Sequence, residues 1–504
     1  MRKFGKKIVI IGIGNIGFTL IKELHKRKIP IEIIAIDRIL HKYLRDYLNS
    51  NSDFKIEFIK MDILDRKNIH KNLKKECFKN INVLVSTIGY MSSSYEFGKY
   101  KKEFNINFFG NIIPIKILID NIQKNKNNRV IIISSISGNK ATKHVNSYAP
   151  AKWALESFSS SLQQEYANNE LFIDVVRPDN IFNKYSNVFK INKGIDAKVV
   201  VNKIINLIQF SITGSPKKGK KFFIPFYLFG ARIIDRVFPF VFDKYYGLKS
   251  KRKRKKTYGK YNLNRVLILG VSSKIGKELA KTYSKFSKEI IIIDQVEQDL
   301  VDLKNELNKE SRCNIIIKKI DLKTILDLKN FLNNIGEVNL FINNSNHCFI
   351  KSVKKTTIDE YVETLDVNFF SPVLIIQNLI ANNFTSKIIN LVSFEAIRGR
   401  ENYSAYSSSK AALWSYTRSM RRQKGNKIHF LEVIFSTDEL NSLSSSNPYI
   451  INEAREGVNK ILKAERAGND IIYVPNKLRS YLLIEAVSNS LFNFLFLTKK
   501  KNKS

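Results

Sequence analysis

The sequence is poor in the residues that cross-link or ligate. Its 504 residues include 3 Cys, 2 Trp, 10 Pro and 6 His. Cys77, Cys313 and Cys348 lie far apart and form no CxxC pair, which indicates buried or free thiols in a reducing compartment. The histidines show no ligand spacing, so we predict no metal site.

Long apolar runs are also missing. No stretch offers the roughly 18 uninterrupted apolar residues that a spanning helix needs. The N-terminus, MRKFGKKIVIIGIGNIG, superficially resembles a signal peptide. Its apolar run is short, however, contains a phosphate-loop pattern and lacks a small-residue cleavage site. We therefore expect a cytoplasmic protein.

Acidic residues are scarce beside basic ones. The chain has 45 Asp and Glu against 85 Lys and Arg, a net charge of +40. Two interpretations stay open: a solvated basic surface, or attraction to anionic lipid or phosphorylated substrates. A nucleic-acid partner is not expected, because no base-reading module surrounds the basic runs.

The chain repeats itself. Gly12 and Gly270, Ser135 and Ser393, and Tyr148 and Tyr406 are each 258 residues apart. Alternating strand and helix patterns fill each half, and 504 residues exceed one hydrophobic core. This predicts an α/β fold: two consecutive Rossmann-type, doubly wound parallel-sheet domains, each with a C-terminal amphipathic, aromatic helical extension.

Composition sets the predicted boundaries. The first domain covers 1–248 and ends in an aromatic extension after Pro225. A basic linker, KSKRKRKK and its neighbours, covers 249–262. The second domain covers 263–498, and 499–504 form a basic tail.

A glycine turn follows the first strand of each half. Gly12-x-Gly14-x-x-Gly17 leads into a helix and then into a strand that ends in Asp37. Such glycines allow backbone to approach a pyrophosphate, which the helix N-terminus also attracts. The acid can bind ribose hydroxyls. The second half has Gly270 to Gly276 followed by Asp294, with Lys274 at the usual place of the middle glycine.

A serine, a tyrosine and a lysine follow the central strand of each half. Tyr148 and Lys152 are one helical turn apart, as are Tyr406 and Lys410. A single Tyr-x-x-x-Lys is common by chance. Two copies with the same upstream serine are not.

Each half resembles the short-chain dehydrogenase/reductase family over nearly its whole length. The resemblance implies two catalytic tetrads: Asn107, Ser135, Tyr148 and Lys152, then Asn368, Ser393, Tyr406 and Lys410. It also implies these cofactor-binding residues: Gly12, Gly14, Asn15, Ile16, Gly17, Asp37, Arg38, Asp62, Ile63 and Gly89 in the first half, and Gly270, Ser273, Lys274, Ile275, Gly276, Asp294, Asp321, Leu322 and Asn344 in the second.

The tetrad chemistry suits alcohol–ketone interconversion. Tyrosine exchanges the proton, and a nearby ammonium is expected to lower the phenol pKa toward working pH. NAD(H) is favoured because Asp37 and Asp294 repel a 2′-phosphate. NADP(H) stays open, especially in the first half, where Arg38 follows Asp37.

The implied function is an NAD(P)-dependent oxidoreductase acting on a sugar, lipid or polyprenyl-linked substrate, with the halves as an oxidation/reduction pair. The alternative is a non-catalytic dinucleotide-binding scaffold or redox sensor. The aromatic extensions either cover the sheet or lie peripherally on the cytoplasmic face of an anionic membrane. A homo-oligomer stays open.

Overall fold

The computed structural model describes most of both halves. The described residues are 6–51, 54–91, 97–123, 127–138, 147–167, 171–179, 181, 194–213, 221–224, 263–424, 427–436 and 448–480. The linker 249–262, the tail 499–504 and nearly all of both aromatic extensions lie outside these ranges, so those assignments stay predictions.

The first half forms one seven-stranded parallel sheet in the order β3-β2-β1-β4-β5-β6-β7. Its strands are β1 (Lys6–Ile11), β2 (Ile31–Asp37), β3 (Ile56–Lys60), β4 (Val83–Ser86), β5 (Asn128–Ile133), β6 (Leu171–Pro178) and β7 (Lys221–Ile224). Its helices are α1 (Asn15–Lys26), α2 (Lys42–Ser50), α3 (Arg66–Leu73), α4 (Phe97–Phe104), α5 (Gly110–Gln123), α6 (Tyr148–Glu165) and α7 (Ala197–Thr213).

The second half repeats this topology in the order β10-β9-β8-β11-β12-β13-β14. Its strands are β8 (Leu263–Leu269), β9 (Ser287–Asp294), β10 (Asn314–Lys319), β11 (Leu340–Asn343), β12 (Lys387–Ser393), β13 (His429–Phe435) and β14 (Ile471–Val474). Its helices are α8 (Lys274–Ser284), α9 (Glu297–Glu310), α10 (Ile325–Asn333), α11 (Ile358–Leu365), α12 (Ser371–Ala381), α13 (Ser404–Lys424) and α14 (Pro448–Ala467). The predicted doubly wound α/β class is confirmed.

The central strands read as continuous apolar runs because helices cover both faces. In β1, Val9 lies in register between Ile34 of β2 and Leu84 of β4, and all three are buried. β-branched residues suit such strands, since both sides of each strand pack against side chains. The carboxyl ends of β1, β4 and β5 therefore meet at one edge of the sheet, where the candidate site lies.

The helical segment that carries the tetrad asparagine of each half is interrupted. Asn105–Phe109 forms a π-helical turn between α4 and α5, and Asp366–Phe370 does the same between α11 and α12. Asn107 and Asn368 lie in these two turns and are fully buried. Such turns insert one extra residue and occur often at functional sites.

The two halves share a core. One cluster of buried apolar residues includes members of both halves, while two further clusters each belong to one half. We call the contact surface formed by α4 to α6 with α11 to α13, including both π-helical turns, the seam. Trp153 on α6 meets Trp414 on α13 edge to face, with ring centroids 5.0 Å apart.

Among the described residues, one helical segment is long and apolar enough to cross a membrane. The segment is Ile358–Ala381. An 18-residue stretch within it has a mean hydropathy of 1.3, and 72% of that stretch is buried inside the protein. Much of its apolar surface packs in the seam: Phe369 lies against Phe104, and Tyr361 against Phe158. This contact explains the hydropathy without a bilayer.

Candidate active sites

The glycine turn after the first strand of each half is tightly packed. Gly12 and Gly270 have φ values of +88° and +86°, a region that L side chains rarely adopt. A Cβ on Gly17 would lie 2.2 Å from the carbonyl oxygen of Gly12, and one on Gly276 would lie 2.3 Å from that of Gly270. These positions require glycine. Around Gly14 a Cβ would meet nothing within 4 Å, so this side of the turn is open.

The acids after the second strand of each half brace these turns. One carboxylate oxygen of Asp37 accepts the Ile13 N–H at 2.6 Å. One oxygen of Asp294 accepts the N–H groups of Val271 at 2.7 Å and Ser272 at 2.9 Å. A brace of this kind was not part of the sequence prediction, which gave these acids only a ribose role. Arg38 is exposed beside Asp37.

The other predicted cofactor residues border the same turns. Ser273 caps α8 by accepting the Gly276 N–H at 3.1 Å, and Asn344 donates to Ser273 at 2.9 Å and to the Gly270 carbonyl at 2.7 Å. Four of these residues begin a helix: Asn15 and Ile16 begin α1, and Lys274 and Ile275 begin α8. The other four follow the third strand of their half: Asp62 and Ile63 follow β3, and Asp321 and Leu322 follow β10.

Thr87 is a residue of the first turn that sequence reasoning missed. Its hydroxyl donates to the Gly12 carbonyl, as the Asn344 amide does to Gly270 in the second half. The chain position of Thr87, 257 residues before Asn344, was the available signal. Threonine and asparagine thus fulfil the same structural role.

In the first half the structure brings the four tetrad residues to one edge of the sheet. The Lys152 ammonium donates to the carbonyls of Ile88 at 3.2 Å and Ile133 at 3.3 Å, and it lies 5.7 Å from the centroid of the Tyr148 ring. The Asn107 side chain accepts the Tyr90 N–H at 3.0 Å. A Cβ on Gly89 would lie 3.8 Å from the lysine nitrogen and 3.9 Å from the Asn107 oxygen, so Gly89 completes this group.

Burial dominates the titration of the first tetrad. It raises the pKa of Tyr148 to about 12, although a hydrogen bond with Ser135 opposes the rise. It lowers the pKa of Lys152 to about 8, and the nearby Glu156 opposes that fall. The expected fall of the phenol pKa relied on the lysine together with the charge of an oxidised nicotinamide, and it stays a prediction for that complex. In the protein alone, desolvation is the largest influence on this phenol and raises its pKa. Tyr148 is therefore protonated at neutral pH, ready to act as an acid.

The second tetrad has the same arrangement. The Lys410 ammonium donates to the Ser345 carbonyl at 2.7 Å and lies 5.7 Å from the centroid of the Tyr406 ring. Asn368 accepts the His347 N–H at 2.7 Å, as Asn107 accepts that of Tyr90. Burial lowers the pKa of Lys410 to about 7 and raises that of Tyr406 well above its ordinary value.

Each site also contains a buried carboxylate that no sequence motif predicts. Glu395 accepts a hydrogen bond from the Ser393 hydroxyl and lies 3.2 Å from the Arg400 guanidinium. Glu103 in the first half accepts from the hydroxyl of Ser147, the residue before Tyr148. Both carboxylates raise the pKa of the tyrosine near them. Neither position belongs to a repeated motif, so no signal marked them.

The Ser393 hydroxyl can donate one hydrogen bond, and it donates that bond to the Glu395 carboxylate. Its oxygen can still accept, but the hydroxyl cannot donate to a substrate oxygen while this bond lasts. The hydroxyl of Ser135 accepts the Ser137 N–H at 3.1 Å, which leaves its proton for another acceptor. The two sites differ at this residue.

The fold and these sites define a class of protein. Two parallel sheets, each with a glycine turn, a bracing acid and a tyrosine beside a buried lysine at one edge, are typical of dinucleotide-binding oxidoreductases. A family model described as short chain dehydrogenase matches residues 6–185 and again residues 264–434. The chain belongs to the short chain dehydrogenase family, a family of oxidoreductases that use nicotinamide dinucleotides.

Relatives by sequence match one stretch of the chain each. The L-xylulose reductase of Caenorhabditis elegans is 28% identical over 169 residues, which are 32% of this chain and 66% of that protein. The 3-dehydrosphinganine reductase of Danio rerio is 23% identical over 183 residues, which are 34% of this chain and 54% of that protein. The chain thus spans less than two thirds of the length of either relative.

Solved structures resemble nearly the whole chain. The N-domain of a bacterial malonyl-CoA reductase, solved with NADP, has a TM-score of 0.64 at 12% identity and covers 93% of this chain and 97% of that chain. An N-terminal ketoreductase from the macrolactin assembly line has a TM-score of 0.62 at 12% identity, covering 95% and 89%. At such identity the similarity concerns the fold, and it extends over both halves.

Proposed function

We propose that the chain interconverts a secondary alcohol and a ketone at two nicotinamide sites, one in each half. The observation that carries this proposal is the repeated placement of a tyrosine beside a buried lysine and a buried asparagine turn. Tyr406 is itself buried, and Tyr148 is half-buried. The rival function, a dinucleotide-binding scaffold or redox sensor, would leave no need to keep both ammonium groups buried at a cost in stability.

The turns fit a dinucleotide. Gly17 and Gly276 have no space for a side chain, and the open side at Gly14 gives access to backbone N–H groups at the start of α1. Gly12 to Gly17 with Asp37 would hold the cofactor in the first half, and Gly270 to Gly276 with Asp294 in the second. The bound nicotinamide would supply or accept the hydride.

The chain's own residues would handle the proton. Tyr148, protonated at neutral pH, would give its proton to the carbonyl oxygen of a ketone, and Ser135 would orient that oxygen. Lys152, anchored on two carbonyls, would hold its charge next to the phenol and replace part of the lost solvation of a phenolate. In the second half Tyr406 would give its proton to the substrate oxygen without a hydrogen bond from Ser393 to that oxygen, because the Ser393 hydroxyl donates to Glu395.

The substrate class proposed is a sugar, a lipid or a polyprenyl-linked sugar. The names of two relatives support the first two: one is a reductase of L-xylulose and the other of 3-dehydrosphinganine. The raised tyrosine pKa values favour reduction in both halves at neutral pH.

The two halves could also act as an oxidation/reduction pair, in which one half would oxidise an alcohol and the other would reduce the resulting ketone. Epimer formation with catalytic NAD and no net NADH would support it, and stoichiometric NADH change would contradict it.

The proposed cofactor preference is NAD(H). A carboxylate, Asp37 or Asp294, ends the second strand of each half, where it could accept hydrogen bonds from ribose hydroxyls and repel a 2′-phosphate. NADP(H) remains the alternative for the first half, where the Arg38 side chain is exposed beside Asp37. Gly17→Ala would disable the first turn and isolate the second site. In that variant NADH should bind more tightly than NADPH, and the reverse order would contradict the preference.

We also propose a cytoplasmic protein whose aromatic extensions touch an anionic membrane surface. The basic excess of the sequence supports attraction to such a surface. Co-sedimentation with phosphatidylglycerol vesicles, compared between the full chain and a chain ending at residue 480, tests the second extension. Equal binding of both would remove that extension from the proposal. A homo-oligomer stays an additional proposal, to be measured by light scattering.

Tyrosine replacement tests the central proposal. Tyr148→Phe and Tyr406→Phe, alone and together, remove the proton donor of one site or both and leave the packing nearly intact. NADH-dependent turnover of a ketone panel should fall by roughly 10²–10⁴-fold when the working tyrosine is lost. NADH binding, measured by titration, should stay unchanged. If the double variant keeps the wild-type rate, the tetrad assignment is wrong.

A further inference from the structure

Because the halves are related by repetition, two corresponding helix pairs lie beside the seam, and we call the space at each pair a cleft. Each cleft is formed by the helix before one π-helical turn (α4 or α11) and the helix after the third strand of the other half (α10 or α3). Asn107 corresponds to Asn368, and Asp62 to Asp321, which fixes the residues that correspond in the two clefts. The pairs are Gly98 with Asp359, Lys102 with Glu363, Leu64 with Lys323, Arg66 with Ile325, and His70 with Lys329.

Surface ion pairs bridge one of the two clefts, which we call the closed cleft (Arg66, Lys323, Asp359 and Glu363). The Arg66 guanidinium of the first half meets the Asp359 carboxylate of the second half at 3.1 Å. Within the second half, Lys323 pairs with Glu363 at 3.2 Å. Opposite charges therefore fill this side of the seam.

The other cleft lacks these pairs. At its corresponding positions Gly98 stands in place of an acid and Ile325 in place of an arginine, while Lys102 faces Leu64 rather than an opposite charge. The result is a cavity of about 440 Å³, which we call the open cleft, and Lys329 also lines it. A Cβ on Gly98 would meet nothing within 4 Å, which shows that there is empty space next to Gly98.

Charge and apolar surface meet in the open cleft. Lys101 pairs with Asp366 at 2.9 Å, whereas neither Lys102 nor Lys329 forms an ion pair with any carboxylate among the described residues. Leu64, Phe97 and Ile325 supply an apolar wall. Two cations beside such a wall match a ligand that has an anionic group on an apolar body.

The open cleft touches both turns that carry the site asparagines. Asn105, the first residue of the first π-helical turn, lines it. Asp366, the partner of Lys101, is the first residue of the second π-helical turn. A ligand here would contact the supports of Asn107 and Asn368 without entering either site.

We propose that the open cleft binds a small amphipathic anion, a phosphate or carboxylate on an acyl or aromatic body, at a site distinct from both tetrads. The anionic group lies between Lys102 and Lys329, and the apolar body covers Phe97 and Ile325. This site is additional to the proposed oxidoreductase function and does not depend on it.

Octyl phosphate, kept below its micellar concentration, is the probe. Calorimetric titration of the full chain should give one molecule bound per chain, and the probe should raise the thermal midpoint. Octanol and inorganic phosphate, each with only half of the required chemistry, should bind at least about ten-fold more weakly. Equal binding of inorganic phosphate would overturn the amphipathic assignment, and equal binding of octanol would overturn the role of the lysines.

Two variants locate the probe. Gly98→Asp with Ile325→Arg copies the ion pair of the closed cleft into the open one and should abolish binding while the thermal midpoint holds or rises. Lys102→Gln with Lys329→Gln removes the cations with little change in volume and should weaken binding at least about ten-fold. Lys304→Gln with Lys309→Gln on α9, away from the seam, is the matched control and should bind as wild type. Wild-type affinity in either cleft variant, or an equal loss in the control, would overturn the proposal.

Discussion

Lys410 is fully surrounded by protein, and among the described residues its ammonium has one hydrogen-bond acceptor, the Ser345 carbonyl. Burial lowers its pKa from an ordinary 10.5 to about 7. Because the folded-state pKa is below the unfolded one, the unfolded chain binds more protons between about pH 7 and 10.5. The charge therefore destabilises the fold fully below about pH 7, and the penalty fades as the pH rises toward 10.5.

Replacing this lysine should stabilise the protein. Lys410→Met should raise the free energy of unfolding at pH 7 by on the order of 2–4 kcal/mol, and the gain should shrink toward zero at pH 10. Chemical denaturation at both pH values measures it. Lys309→Met, at an exposed position, should show no such pH dependence. A gain of equal size at both pH values would mean that the ammonium is not the cause.

The sequence predicted two groups of four residues that the structure brings together, but it did not predict what surrounds them. Fixed intervals marked Ser135, Tyr148 and Lys152 because the motif lies within one strand, loop and helix. Glu395 and Glu103 could not be predicted, because a carboxylate that lies near a tyrosine in space need not lie at a fixed interval from it in the sequence. The direction of the tyrosine pKa also depends on burial, which only the packed structure gives.

At the scale of single elements, the two halves are tightly packed at Gly399, in the loop before α13. A Cβ on this residue would lie 1.8 Å from the backbone oxygen of Ser157 on α6 and 2.6 Å from the Ser161 hydroxyl. The loop that holds Gly399 therefore packs against the helix of the other half's tetrad. Gln164 of the same helix donates to the Gly399 carbonyl.

Adding one methyl group here should separate the halves. Gly399→Ala should lower the free energy of unfolding by at least about 2 kcal/mol, because the clash is with backbone that cannot move alone. Gly98→Ala on α4, where a Cβ meets nothing, is the matched control and should be neutral or stabilise by up to about 1 kcal/mol. Thermal unfolding of both variants checks this, and equal midpoints for the two would show that the seam accommodates the methyl group.

Strand and helix elements followed from apolar periodicity with small shifts at their ends. The first strand, expected before the glycine turn at Gly12, ends at Ile11, directly before that turn. The π-helical turn at Asn105–Phe109 could not be foreseen, because an extra residue in a helix leaves the apolar pattern readable as one continuous helix. Its cause is the tertiary fit of Asn107 to the backbone of Tyr90.

At the scale of the molecule, both halves depend on one shared core. Trp153, Phe104 and Phe108 of the first half are buried against residues of the second half. Charged contacts also cross the seam: Glu165 accepts the Val353 N–H, and Lys354 meets Asp120 at 2.9 Å. Neither half can cover this surface by itself.

Splitting the chain tests that dependence. Fragments 1–262 and 263–504, expressed together, should co-purify as a one-to-one complex held by the seam. Expressed alone, each should self-associate or aggregate, since it exposes a large apolar face. Size-exclusion chromatography with light scattering distinguishes the outcomes. A monomeric, folded fragment obtained alone would show that the seam is not required for folding.

The duplication was readable from the sequence, but the packing of its two copies was not. Apolar positions on α6 and α13 follow the helical period whether they face a sheet or a neighbouring helix. The sequence therefore gave two domains without their contact. The same ambiguity affects Ile358–Ala381, whose apolarity serves the seam.

The shared core also has a consequence for the order of synthesis. The first half leaves the ribosome complete at about residue 248, yet α13, which covers α6, ends only at Lys424. At about 5–20 residues per second, the apolar face of the first half waits roughly 10–35 s for its partner. During that interval a chaperone or a second nascent chain can reach Trp153 and Phe108, and a pairing between two chains would give a swapped dimer. Slow translation of the second half is thus a hazard to the first.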